Sequence, residues 1–60
     1  MKTTDRVQAM LDELTTALAD AEKFDNGNAA AGTRVRKAMQ NVKASAQDVR
    51  AHVQAAKNSA

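Results

Sequence analysis

Apolar and small residues in the first half of the chain fall at Val7, Met10, Leu14, Ala17, Ala21 and Phe24, a 3-4-3-4-3 spacing. That spacing holds one face of a helix apolar and forms the a/d seam of a heptad. Leu11 and Leu18 add a second apolar column beside the seam, so the stripe is wider than one partner helix requires. The second half continues the pattern at Val35, Met39, Val42, Ala46, Val49, Val53 and Ala56, alternating four and three. Nothing alternates with the period of two that a strand would need.

Boundary signals agree with two helices. Thr3 or Thr4 is the expected N-cap of the first, with Asp5 well placed in its first turn. The chain has no proline, and its only glycines are Gly27 and Gly32. Gly27 is expected to end the first helix as a left-handed C-cap, and Asn28 to cap the second. The prediction is a single helical-hairpin domain over 1–60, with helix 1 at about 4–25, a turn at 26–28 and helix 2 at about 28–57. So short a connection favours an antiparallel αα-hairpin, which makes the fold class all-α and coiled-coil-like. Helix 2 is the longer by about two turns. Folding about residues 26–27 sets Val7 near Ala46 and leaves Val49, Val53 and Ala56 without an intrachain partner. Leu11, Leu18, Val49, Val53 and Ala56 are therefore the expected oligomer interface of a dimer or tetramer bundle.

Composition strengthens the case for association. Sixty residues make one small domain at most. The hydrophobic fraction of 43% includes 14 alanines, and only eleven larger apolar residues remain besides Met1. That is a thin core for a monomer, and self-association is the obvious remedy. Without cysteine there is neither a disulfide framework nor a thiolate metal site. The N-terminal MKTTDRVQAM lacks the apolar run of a signal peptide, and no stretch approaches the roughly 20 apolar residues of a membrane span. A soluble, cytoplasmic protein with no membrane partner is the expectation.

Charge changes the picture more. Residues 1–26 carry three Lys/Arg against six Asp/Glu, and residues 27–60 carry six against Asp48 alone. In helix 2 the position following Val35, Val42, Val49 and Ala56, on the coiled-coil flank, holds Arg36, Lys43, Arg50 and Lys57. A seven-residue repeat drifts only about 20° per heptad on a straight helix, so these four cations form one line. Arg34 and Lys37 broaden its start. None of the six has an Asp or Glu three or four positions away, so local pairing cannot account for them. Asp20 is the plausible cross-hairpin partner of Arg34.

A line of cations suits a phosphate backbone, which is neutralised with release of counterions. Phe24 is the single aromatic residue and its seam position suggests core, so stacking platforms for unpaired bases are missing. A membrane surface fits less well, since the basic face lacks flanking Trp, Phe or Leu. Duplex DNA bound without sequence preference fits best. The proposed DNA-binding residues are Arg34, Arg36, Lys37, Lys43, Arg50 and Lys57, with Thr33 and Asn28 at the start of helix 2. Ala29, Ala30, Ala31 and Gly32 in its first turn would let a phosphate approach the positive helix end closely, or would let Gly32 pack on Ala21.

Catalysis finds no support. His52, with Asp48 four residues earlier, reads as a surface histidine, while Asp12/Glu13 and Asp20/Glu22 read as a solvated acidic face. Met10 and Met39 read as core. No catalytic residue, metal, cofactor or small-molecule substrate is expected. The rival to DNA binding is a small helical adaptor whose stripe docks on an acidic protein.

The stretch GNAAAGTRVRKAMQNVKASAQDVRAHVQ resembles a block of the chlamydial linker-histone-like family and its short relatives in other bacteria. Those proteins carry a sequence close to G-N-K-A-A-x-x-R-V-R ahead of a helix with regularly placed basic residues. Gly27, Asn28, Ala30, Ala31, Arg34, Val35 and Arg36 match it here. The resemblance covers residues 20 to 57 and implies a histone-like, nucleoid-associated, DNA-compacting protein without enzymatic activity. Ala29 stands where the family often has lysine. The long Lys/Ala-rich tail of chlamydial members has no counterpart in these sixty residues, so an oligomer that multiplies the stripe would have to compensate.

Overall fold

The computed structural model describes residues 2–59, which form two helices, α1 (Thr3–Asp25) and α2 (Ala29–Ser59). They pack along one another as an antiparallel hairpin measuring 50 × 15 × 13 Å, and no strand occurs among the described residues.

The turn is built from two interlocked caps. Gly27 adopts φ 102°, the left-handed conformation in which a Cβ would be strained. Its N–H donates to the Phe24 carbonyl at 2.9 Å, and the Asn28 N–H donates to the Lys23 carbonyl at 3.0 Å. These two bonds are the Schellman closure of a helix. Asn28 then opens α2, because its Oδ1 accepts the Ala31 N–H at 3.1 Å. One residue thus closes the first helix with its backbone and starts the second with its side chain.

At the other end the expected threonine cap is corrected. Lys2 holds the extended N-cap conformation and makes no side-chain cap bond, while Thr3 and Thr4 lie inside the first turn. The helix end is solvated, and water can serve the free amides there.

Packing corrects the expected seam as well. The covered residues of α1 are Arg6, Met10, Glu13, Ala17, Asp20 and Ala21, and those of α2 are Ala31, Gly32, Val35, Ala38, Val42, Ser45, Ala46, Val49 and His52. Both stripes keep heptad spacing, but each helix is turned relative to the expectation. Val7, Leu14, Phe24, Met39 and Val53 are left exposed. Only Ala17 and Ala31 are fully buried among the described residues. Alanine at the contact permits an interaxial distance near the lower end of the usual 8–10 Å, which a leucine seam would prevent.

Near the turn the expected Asp20–Arg34 pair forms, but farther out the register is shifted: Glu13 meets Ser45, and Val49 shares a cleft with Arg6 and Ala9. Val49 therefore has an α1 partner, and Val7 does not face Ala46 as expected. The reason lies at the turn. With α1 reaching Asp25 and α2 starting only at Ala29, the fold point moves toward Asn28 and draws later residues of α2 alongside α1. Ala56 remains in the exposed, overhanging end of α2. Phe24, expected in the core, instead lies with its ring over Gly32, where a Cβ would come within 2.5 Å of the ring's Cδ1. Gly32 thus accommodates Phe24, not Ala21.

Candidate nucleic-acid interface

The flank following Val35, Val42 and Val49 is solvent-exposed along the whole of α2, and it carries Arg36, Lys43, Arg50 and Lys57. A rise of 1.5 Å per residue spaces these side chains at about 10 Å and makes the row roughly 31 Å long. That is close to the ~34–36 Å of one duplex turn. Thr33, Val35, Arg36, Lys37, Met39, Gln40 and Lys43 line one shallow groove. Val35 and Met39 are its apolar part, a surface on which aliphatic stems of basic side chains can lie while the charged heads reach solvent. The sequence pattern places Met39 in the core, and the turned seam instead leaves it exposed in this groove.

Acidic partners are absent from this flank. The one ion pair among the described residues joins Arg34 Nε to Asp20 Oδ1 at 2.9 Å. Arg50 Nη1 donates only to the neutral Gln47 Oε1, at 3.4 Å. Arg36, Lys37, Lys43, Arg50 and Lys57 make no ion pair among the described residues.

Not every expected residue joins the row. Arg34 lies two positions before Arg36, about 200° around the helix, on the opposite flank, where it braces the hairpin against Asp20. Thr33 lines the groove beside Arg36. Asn28 spends its side-chain oxygen on the α2 cap. Ala31 is fully buried and Gly32 lies under Phe24, so the small residues of that first turn chiefly serve helix packing. Arg6 and Glu13, which sequence reading did not place in the seam, have Nε and Oε2 buried without a partner. Charged residues at seam positions break the apolar pattern, and only the packing reveals them.

Of the expected interface residues, Leu11 and Leu18 are 54% and 60% exposed, and Val53 and Ala56 also face solvent, whereas Val49 is half-buried between the helices. Among the described residues no group of His, Cys, Asp and Glu is arranged to hold a metal ion. No helix is long and apolar enough to cross a membrane.

No curated protein matches the chain, nor does any solved structure. A family model described as histone H1-like protein Hc1 matches residues 4–59, which takes in both helices and the whole basic flank. A match of that extent agrees with the histone-like resemblance of residues 20 to 57 and extends it over α1. The family is of the DNA-packaging, non-enzymatic type, and its partner is DNA. This chain belongs to the bacterial histone H1-like Hc1 family.

Proposed function

We propose that the chain binds double-stranded DNA without sequence preference, through phosphate contacts from Arg36, Lys37, Lys43, Arg50 and Lys57, and helps to compact it in the bacterial nucleoid. One observation carries the reading: five exposed cations on a single helix have no acidic partner among the described residues. Each phosphate they neutralise releases condensed counterions, which supplies affinity and no base information. Phe24, the lone aromatic, lies over Gly32 at the start of α2, and one ring does not supply the series of platforms that successive unpaired bases need.

Binding of two unrelated duplexes across a salt series tests this. With about four phosphates contacted per chain, log K falls against log salt with a slope near −3.6, the same for both duplexes. A clear preference for one duplex at equal salt would replace the proposal with base or shape readout. Absence of binding at low salt would assign the row to an acidic protein partner.

A further inference from the structure

Phe24 is the one aromatic side chain of the protein, and it is 53% exposed. Its place is set from α2. A Cβ at Gly32 would come 2.5 Å from Cδ1 and 2.6 Å from Cε1 of the ring, with Cγ next at 3.4 Å. One edge of the ring therefore rests on the glycine, and the opposite edge stands away from it. Glycine inside a helix sacrifices helix propensity, and here it makes room for a ring that gains only partial burial. The fully buried contact between the helices lies elsewhere, at Ala17 and Ala31.

Gly32 falls in line with the basic row. Four residues are about 400° of helix, so Gly32 lies within about 40° of Arg36 and one turn, about 6 Å, nearer the start of α2. Phe24, Thr33, Val35 and Arg36 line one groove at that point. The ring thus stands at the head of Arg36, Lys43, Arg50 and Lys57, on the flank that carries them.

A duplex lying along the row would have its phosphates met by the cations and its base stack beside the ring. Proteins that bend duplex DNA insert apolar side chains such as phenylalanine between base pairs, unstacking and kinking one step. We infer that Phe24 is such a wedge, entering one base step of the duplex held by the row, and that Gly32 positions it. The inference rests on the DNA reading for its ligand. Unstacking the step costs free energy, which the phosphate contacts along the row offset. A straight row of cations alone does little to change the path of the duplex, whereas a wedged step redirects it. One ring suffices for one step.

The chain has no tryptophan, so Phe24→Trp places a single indole at the wedge position. Its emission should fall roughly twofold when duplex DNA binds, as the indole stacks on bases. Polyphosphate, which offers the charge without the bases, should leave the emission unchanged. Equal quenching by both polyanions would overturn the wedge. So would unchanged emission with a duplex whose fluorescence anisotropy shows it bound, and that result would leave the DNA reading standing. Phe24→Ala supplies a second measurement. It should keep the wild-type salt slope, because every cation remains, and lose about fivefold in affinity at equal salt. A plasmid relaxed by a topoisomerase with the wild-type chain bound should be negatively supercoiled once the protein is stripped, since a wedged step is unwound. With Phe24→Ala it should stay relaxed, and equal supercoiling from both chains would overturn the wedge. Failure of the wild-type chain to bind any duplex would remove the DNA reading and the wedge with it.

Discussion

Gly27 and Gly32 serve opposite ends. The first is required by its backbone and has open space around its Cα, whereas the second is required by the ring lying on it. Gly27→Ala should cost about 1 kcal/mol in chemical denaturation, since alanine resists the left-handed conformation. Gly32→Ala should behave differently, because Phe24 is exposed and can swing aside. Introduced alone it should be neutral to mildly destabilising. In a Phe24→Ala background it should stabilise by up to about 1 kcal/mol, the helix-propensity gain, and a double-mutant cycle reads that coupling directly. Asn28→Ala, which removes the α2 cap, should cost about 1 kcal/mol by the same measurement.

Between the two helices, the contact is made by the smaller and more polar side of each. Local signals were legible: Gly27, Asn28 and the Asp20–Arg34 pair all follow from short-range geometry or opposite charge at matching distance from the turn. Seam rotation was not. Apolar columns on α1 lie side by side across a wide arc, so heptad spacing alone fits more than one rotation. The larger side chains favour Val7 and Leu14 beside the Met10/Ala17 column, while the helices in fact meet through Ala17, Ala31 and Ala38. The cost of that choice is visible in Arg6 Nε and Glu13 Oε2, both buried without partners. Replacing them together, Arg6→Met with Glu13→Leu, should raise hairpin stability by about 1 kcal/mol or more, as exchange of buried ionic groups for apolar ones often does. Thermal unfolding at fixed protein concentration checks it; a lower midpoint would show that these groups find partners in solution.

For the whole molecule, charge is sorted by helix, with acids on α1 and cations on α2. Arg36→Glu with Lys43→Glu should lower affinity for duplex DNA at least tenfold and reduce the salt slope, with helicity unchanged by circular dichroism. Arg34 is the poorer site for charge reversal, because glutamate there would face Asp20 and disturb the hairpin itself. The basic row was legible in the sequence because its seven-residue repeat does not depend on which column forms the seam. Its separation from Arg34 was equally legible, since two positions are about 200° of helix, and the Asp20 pair shows where that flank lies.

The shared cap at Asn28 has a kinetic consequence. A turn of three residues closes one of the shorter loops that join antiparallel helices, so little chain entropy opposes its formation. Contacts then grow outward from the turn between residues near one another in sequence, a topology that folds in about microseconds to milliseconds. Folding on that timescale can finish before most encounters with a polymer, so a cationic row that binds DNA as proposed would meet it already ordered.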